Sequence, residues 1–472
     1  MPPPGIIERM STPLHFAYDR GTVLVSQGPS EFDYAELPGV LFDPRTSTWR
    51  AQGRYYRSIV EHCIKQKFPY TDEARGWENK DAGWKLTTDR TPHPHQSEAV
   101  ATWLKAGRRG VVVLPTGTGK TFVAMLCIEK VSRPALVVTP TIDLMRQWVG
   151  QLSEFFGMEV GAVGGGEFDY KPLTVTTYDS AYIHMERWGN KYGLLIYDEA
   201  HHLPGGAYQE SAFSSLAPFR LGLTATPERT DGADAALPAL IGPIVYRREI
   251  TELSGDYLAE YQTQRVYIDL TPQEEDLYRR YRQQYSEYRN YLIGRGVSLS
   301  GPNGWQKFIF EASRTPDGMA ALKAYREQKR IERTASGKFR ALEELFRKHA
   351  GERFLIFTAD NATVYQVARQ YLVPAITAQT KTKERKQILE RFHSGEYSIL
   401  ATCQVLNEGV DVPAASVGIV LSGTGTIKEN VQRLGRILRK YGDKQAVLYE
   451  VVARGTAEEF TSDRRRQHHA FQ

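Results

Sequence analysis

The sequence predicts an α/β protein: two parallel-sheet lobes, a basic helical insertion, and a small α+β region ahead of them. Three observations carry that expectation. Short continuous apolar runs recur in two separate stretches, and segments of helix length lie between the runs. The chain, at 472 residues, also exceeds what one core organises, since ~150 residues per domain suggests about three. Apolar content of 41% beside 24% charged residues is ordinary for a soluble globular chain.

The elements follow in chain order. Within 1–85, "LHFAYDRGTVLVS" reads as a hairpin turning at Asp19-Arg20-Gly21, and "RYYRSIVEHCIKQKF" as an amphipathic helix. Within 86–250, "GVVVLP", "ALVVTP", "LTVTTY", "LLIYDE" and "FRLGLTAT" alternate with segments such as "KTFVAMLCIEKV" and "IDLMRQWVGQLSEFF". The grammar returns within 346–472 as "RFLIFT", "PAITA", "YSILAT", "ASVGIVLS" and "QAVLYEVV", with "ATVYQVARQYL" and "RKQILERFHSG" between. Buried parallel strands read as unbroken Val/Ile/Leu runs joined by helices, so each stretch is one lobe. Residues 251–345 lie between the lobes as the insertion. No short-period repeat or low-complexity tract interrupts the chain.

Composition excludes several classes. The three cysteines, Cys63, Cys127 and Cys403, lie far apart with no CxxC or Cys/His cluster, which argues against a zinc site or a disulfide framework. The first residues lack a basic segment followed by a long apolar run, and no apolar stretch approaches ~18 residues. The expectation is a cytoplasmic protein with no membrane partner. Charge is uneven: residues 277–340 hold 14 Lys and Arg against 5 Asp and Glu, so +9 sits there and the rest of a +5 chain sums to −4. That is a local footprint for a polyanion or a solvated helical hairpin.

"LPTGTGKT" follows the run "GVVV" and opens the helix "TFVAMLCIEKV", the context that a phosphate-binding loop requires. In the loop Thr116, Gly117, Thr118 and Gly119, the glycines let the backbone wrap closely around phosphates, Lys120 supplies a charge, and Thr121 can hold Mg²⁺. The loop departs from the strict G-x-x-x-x-G-K-[ST] pattern in carrying Leu114 where Gly is usual. About eighty residues on, "LLIYDEAHH" places Asp198 and Glu199 at the carboxyl end of a strand, where open α/β sheets gather their ligands. Asp198 suits the Mg²⁺ shell, and Glu199 suits orienting and deprotonating a water for in-line attack. His201 and His202 have no third ligand in view and read as a polar lobe-lobe contact rather than a metal site. Near the end, "QRLGRILR" sets Arg433, Arg436 and Arg439 three apart on one helix face with no acid in the octet.

"LPTGTGKT", "DEAHH", "LGLTATPER", "VLNEGVDVP" and "QRLGRILR", in this order, resemble the motifs of superfamily 2 helicases. "TYDSAY", "APFRLGLTATPERTDG", "VPAITAQT" and "LSGTGTIKENVQRLGRILR" narrow the resemblance to the XPB helicase family in its short archaeal or bacterial form. The resemblance implies RecA-like lobes and a damage-recognition-like domain at the N-terminus. It implies roles as well. Gln96 would read adenine, although His93 and His95 stand where arginine and an aromatic are usual. Asp411 would lie near the ribose, Gln432 would help place the water, and Arg436 and Arg439 would meet the γ-phosphate of ATP. Thr224 and Thr226 would couple hydrolysis to lobe movement. Pro140, Thr141 and Thr177, with Thr358 and Thr402 as second-lobe counterparts, would contact a nucleic-acid backbone. The family's Arg-Glu-Asp triplet is Arg229, Thr230 and Asp231 here, so the glutamate is missing.

The insertion resembles the family's DNA-gripping thumb. "TPQEEDLYRRYRQQYSEYRNYLI" opens with a capping-box pattern, Thr271 to Glu274, with Pro272 first in the helix. Tyr278, Tyr281, Tyr285 and Tyr288 either pack the hairpin against "MAALKAYREQKRIER" or stack on bases, with packing the favoured reading. Arg279, Arg280 and Arg282 would meet phosphates. The expected activity is that of an ATP- and Mg²⁺-dependent DNA translocase or helicase. The resemblance adds 3′–5′ polarity, a role in nucleotide excision repair or DNA opening, forked, bubble or duplex DNA as partner, a repair nuclease beside it, and a nucleoid location on DNA. Two alternatives are a duplex translocase that remodels complexes without efficient strand separation, and a damage-binding module that ATP clamps onto DNA.

Overall fold

The structure is a computed structural model that describes residues 12–78, 82–229, 231–301, 303–403, 415–423, 426–438 and 445–466. The chain forms two compact units, Met1–Arg248 and Glu249–Gln472.

The first unit begins with β1 (Leu14–Asp19), β2 (Thr22–Ser26), β3 (Leu41–Asp43), β4 (Thr48–Gln52), α1 (Tyr56–Gln66) and β5 (Tyr70–Asp72). The sheet order is β3-β4-β2-β1-β5, antiparallel except for β1 beside β5. The hairpin turns where the sequence places it. Arg20 and Gly21 both take positive φ, 41° and 82°, the geometry of a tight turn matched to strand twist. Helix α1 buries Tyr56, Ile59 and Cys63 at spacings of three and four, against Leu14, Phe16, Val23 and Val25 of the sheet. This core extends to Leu216, so the small sheet packs against the larger lobe of the same unit rather than standing off as an arm. At that seam the Tyr18 hydroxyl sits among the carbonyls of Met185, Glu186 and Ser214 at 3.1, 3.0 and 3.1 Å.

The rest of this unit runs α2 (Pro94–Lys105), β6 (Arg109–Val113), α3 (Lys120–Val131), β7 (Ala135–Thr139), α4 (Ile142–Phe156), β8 (Gly161–Gly164), β9 (Glu167–Asp169), β10 (Leu173–Thr177), α5 (Tyr178–Trp188), β11 (Leu194–Asp198), α6 (Glu210–Phe213), β12 (Phe219–Thr224), α7 (Leu237–Leu240) and β13 (Ile244–Arg247). Its eight strands lie in the order β13-β6-β12-β11-β7-β10-β8-β9, parallel except for the β8–β9 hairpin. All five runs expected as strands are strands. β8, β9 and β13 add to them without a sequence signal, since they are short and lack an unbroken apolar run.

The second unit contains α8 (Ile250–Leu253), β14 (Glu260–Ile268), α9 (Pro272–Gly294), α10 (Gly304–Ala312), α11 (Pro316–Thr334), α12 (Ser336–Lys348), β15 (Phe354–Phe357), α13 (Asn361–Tyr371), β16 (Ala375–Ile376), α14 (Thr382–Ser394), β17 (Ile399–Thr402), β18 (Val417–Val420), α15 (Ile427–Ile437), β19 (Gln445–Ala453) and α16 (Glu458–Arg465). The sheet is parallel throughout, in the order β14-β19-β18-β15-β17-β16.

Here the expected helical insertion of 251–345 shrinks. β14 pairs with β19 along all nine of its residues, and α12 sends Phe339, Leu342 and Leu345 into the core of this sheet. The helical element is therefore α9 to α11, inserted inside the second lobe after its edge strand. "EYQTQRVYI" hid this because an edge strand that is half solvated reads as alternating polar surface, unlike its buried neighbours. The expected capping box is present at α9: the Thr271 hydroxyl accepts from Glu274 N at 3.3 Å, and the Glu274 carboxylate accepts from Thr271 N at 2.9 Å.

Tyr285 and Tyr288 pack the hairpin. Tyr285 lies against Phe308 and Tyr325 with ring centroids at 5.3 and 5.1 Å, and the Tyr288 hydroxyl meets Thr315 Oγ1 at 3.0 Å. Tyr278 is buried at the root. Its hydroxyl donates to Glu332 Oε1 at 3.1 Å and accepts from Ala457 N and Arg282 Nη1, both at 2.9 Å.

Candidate active site

The loop between β6 and α3 carries the phosphate-binding signature. Gly117 and Gly119 have φ of 92° and 81°, left-handed values that glycine adopts without steric cost, and a Cβ at Gly119 would strike the Gln96 amide. The loop is braced from within. Thr118 donates its hydroxyl to the Pro115 carbonyl at 2.8 Å, and Lys120 Nζ folds onto the carbonyls of Leu114 and Pro115 at 3.1 and 3.4 Å. Gln96, the expected adenine reader, is fully buried and committed to this brace. Its Nε2 donates to Thr118 O at 2.9 Å, and its Oε1 accepts from His93 N at 3.0 Å to cap α2. His95 Nε2 lies 3.0 Å from the same Thr118 carbonyl, a supporting role that its position in the sequence did not signal.

β11 ends at Asp198, and both acids after it are buried. Glu199 has φ 48° and ψ 55°, a left-handed conformation that a non-glycine residue holds at a cost of ~1–3 kcal/mol and that clusters at functional sites. Asp198 Oδ1 accepts from Glu199 N at 3.0 Å, and Oδ2 accepts from the Trp148 indole at 2.8 Å. Burial, followed by the Glu199 charge, pushes the Asp198 carboxyl up to about 6, against the pull of the Trp148 bond and the Lys120 charge. Glu199 Oε2 is buried with no hydrogen-bond partner among the described residues and lies 3.5 Å from His201 Nδ1. Two buried carboxylates, one with an orphaned oxygen, fit a divalent cation. No cluster of three His, Cys, Asp or Glu among the described residues could cage one.

His201 is buried against the end of β12. Its Nδ1 meets Thr224 Oγ1 at 2.9 Å, and Thr224 Oγ1 also accepts from Thr226 N at 3.2 Å. Arg229 joins the same corner, donating to His201 O at 2.7 Å and grasping both Asp231 oxygens at 2.9 and 2.6 Å. That guanidinium holds the Asp231 carboxyl far below the usual carboxylate range. Thr230 lies outside the described residues.

The residues expected to meet nucleic acid divide. Thr141 caps α4 and is exposed. Thr177 caps α5 and is buried, and each hydroxyl accepts a backbone N–H at 3.2 Å, from Leu144 and Ser180 respectively. Pro140 is partly exposed beside Thr141. Thr358 and Thr402 are fully buried, with hydroxyls donated to the carbonyls of Asp360 at 2.9 Å and Ile376 at 3.0 Å. They cap strand ends and present no surface to a ligand. Arg279, Arg280 and Arg282 are exposed, but each has a partner on its own helix: Glu275, Asp276 (2.7 Å) and the Tyr278 hydroxyl (2.9 Å). Such exposed pairs are worth ~0–1 kcal/mol, so phosphates can displace them.

On α15, Arg433 is buried over the Phe357 ring at 5.5 Å, and Arg436 is almost buried. The Gln432 amide beside them is buried with neither atom partnered among the described residues. A buried amide left without partners costs ~1–3 kcal/mol. Asp411 and Arg439 lie outside the described residues.

A phosphate loop and a strand-end acid pair on one parallel sheet, with a second parallel sheet in the other unit, define a nucleotide-using protein of the helicase superfamily 2 kind. Residues 16–74 match the Xeroderma pigmentosum group B helicase damage recognition domain, 89–229 match the family described as Type III restriction enzyme, res subunit, and 337–441 match the Helicase conserved C-terminal domain. The chain belongs to the XPB family of DNA helicases. It is 42% identical to DNA 3′-5′ translocase XPB2 of Sulfurisphaera tokodaii, over 92% of this chain and 97% of that one. DNA 3′-5′ helicase XPB of Kineococcus radiotolerans and of Mycobacterium tuberculosis are each 30% identical, and the alignments span 64% and 61% of those longer proteins. In fold it is similar to the Pyrococcus furiosus Hef helicase domain (TM-score 0.53, 19% identity, 79% of this chain and 98% of that one). It is also similar to Saccharomyces cerevisiae Dbp5 bound to RNA and ADP BeF3 (TM-score 0.55, 16% identity, 80% and 87%). Among the described residues no helix is long and apolar enough to cross a membrane.

Proposed function

We propose that this protein is a DNA-dependent ATPase that moves along DNA with 3′–5′ polarity and acts in repair or DNA opening, on the nucleoid and beside a repair nuclease. The observation that carries the reading is the buried Asp198–Glu199 pair on the same sheet as the Lys120 loop. ATP phosphates are held by the backbone of 116–119 and by Lys120. Thr121 and Asp198 hold Mg²⁺, which would supply charge neutralisation at the phosphates. Glu199 orients the attacking water and takes its proton. Gln432, Arg436 and Arg439 complete the site from the second lobe, and Asp411 lies near the ribose. Pro140, Thr141 and Thr177 meet the DNA backbone, the α9 to α11 thumb grips it, and Thr224, Thr226, Arg229 and Asp231 couple hydrolysis to movement. In domain terms, 1–85 senses DNA structure, 86–250 is the first motor lobe, and β14 and α12 join 346–472 as the second, with the α9 to α11 thumb inserted in it.

A second reading, duplex translocation without efficient strand separation, is favoured by Thr230 in place of the family's glutamate. ATP turnover measured with no polymer, single-stranded DNA, duplex DNA and RNA tests the first reading. Stimulation by DNA and not by RNA is expected, and equal stimulation by RNA refutes it. Unwinding of a forked duplex separates the two readings.

A further inference from the structure

Two buried aromatic side chains join the acid pair to the helices whose first residues are read as DNA contacts. Helix α4 is capped by Thr141, and seven residues on, Trp148 donates its indole N–H to Asp198 Oδ2 at 2.8 Å. Seven residues are two turns, so Trp148 lies on the same side of the helix as its cap, ~10 Å along the axis. Helix α5 is capped by Thr177, and its first residue, Tyr178, places its hydroxyl 3.0 Å from the Asp198 carbonyl and 3.4 Å from the Glu199 carbonyl. Trp148 and Tyr178 are 1% and 2% exposed. Both are buried and bonded to the acid pair, so they support it rather than meet a ligand.

The chemistry of the two bonds differs in a useful way. The indole holds the Asp198 carboxylate in one rotamer and leaves the other lone pairs of both oxygens open. The phenol holds the backbone of the left-handed Glu199 turn, which decides where the Glu199 side chain points. A rigid helix displaced by a phosphate at its first turn moves whatever its aromatic holds, because packed interiors transmit shifts rather than absorb them. We propose that Trp148 and Tyr178 are positioning residues through which DNA bound at the starts of α4 and α5 sets Asp198 and Glu199 for hydrolysis. This rests on the proposed function, in which Asp198 serves Mg²⁺ and the helix starts serve DNA.

Linkage supplies the test. If DNA tightens the binding of a non-hydrolysable Mg·ATP analogue by some factor, the analogue tightens DNA by the same factor. In the full-length protein, Trp148→Phe and Tyr178→Phe together should reduce that factor at least ~5-fold, within the range of known couplings. DNA affinity without nucleotide should change less than ~3-fold, and any loss of analogue affinity that follows from freeing Asp198 Oδ2 cancels in the coupling factor, which is a ratio of affinities with and without DNA. Tyr178→Phe alone removes one hydroxyl and keeps the packing, so it should give part of the effect should the indole change disturb folding. A direct readout comes from 5-fluorotryptophan labelling: of the seven tryptophan ¹⁹F signals, the one lost in Trp148→Phe should shift when duplex DNA is added without nucleotide. A signal that stays fixed, a factor unchanged in both variants, or a factor near one in the unaltered protein overturns the proposal. Asp198→Asn separates the two levels. If it binds the Mg·analogue as the unaltered protein does, the site reading itself is wrong; if it loses Mg²⁺ dependence while the aromatic variants stay fully coupled, only this proposal fails.

Discussion

Replacing Glu199 by Gln removes one negative charge and one proton acceptor and keeps the shape. If Glu199 activates the water, turnover should fall at least ~100-fold, about 2.7 kcal/mol of barrier. The structure says what this does to the fold. Glu199 Oε2 has no hydrogen-bond partner among the described residues, so the variant gives up no hydrogen bond there, only the 3.5 Å contact with His201 Nδ1. An amide buried there without an acceptor costs ~1–3 kcal/mol. Against this, Glu199 is the second cause, after burial, of an Asp198 carboxyl raised from 3.8 to about 6. The variant no longer carries that repulsion. The two terms oppose each other, so the melting temperature should move by only a few degrees while ATP still binds. The assay is steady-state phosphate release at saturating ATP and DNA, paired with binding of fluorescent ATP and a thermal melt. Turnover within threefold of the unaltered protein, in a variant that binds ATP and melts normally, would remove Glu199 from the mechanism.

Arg436→Ala should leave nucleotide affinity within a few-fold and abolish turnover, because the contact is made mainly in the transition state; normal hydrolysis with only DNA binding lost would make Arg436 a DNA contact instead. Replacing Arg279, Arg280 and Arg282 together by Ala should weaken DNA binding alike on unrelated sequences and flatten its salt dependence by up to ~2–3 in log–log slope. Fluorescence anisotropy between 50 and 200 mM salt reads this, and an unchanged slope would show that the intrahelical pairs with Glu275 and Asp276 are not given up. Thr230→Glu should raise forked-duplex unwinding at nearly constant ATPase, because it restores the family's Arg-Glu-Asp triplet in the sequence. Unwinding that is already efficient in the unaltered protein and unmoved by the change would leave position 230 without influence on strand separation.

What the sequence made legible was chemistry confined to a few adjacent residues. The Lys120 loop could be placed because Gly, Lys and Thr must stand together between a strand and a helix, and Asp198 because an unbroken apolar run ends on it. Both lobes were legible for the same reason, since buried parallel strands advertise themselves as Val/Ile/Leu runs. β14 was not, because an edge strand needs one apolar face at most. Gln96 shows a different limit. Its match to a motif points to adenine, whereas in the fold its amide braces Thr118. Trp148 and Tyr178 were invisible for a third reason: their partners lie 50 and 20 residues away, and an aromatic at a helical core position carries no mark of the single polar bond that it makes. Thr358 and Thr402 erred the other way, as strand-end threonines whose hydroxyls were already spent on carbonyls.

The Tyr278 hydroxyl binds three groups at once at the foot of the thumb, and Glu274 beside it accepts from Ser336 N at 2.8 Å, so α9 is anchored at its root to α11, α12 and the start of α16. An anchored root turns the hairpin into a pointer on the second sheet's dial. Its 23 residues at ~1.5 Å each make an arm of about 34 Å. Each degree through which the sheet turns sweeps the far end through about 0.6 Å, so roughly six degrees cover the ~3.4 Å between successive nucleotides of one strand. Such gearing would let a small swing of the sheet advance the grip by one nucleotide without bending the thumb at its base.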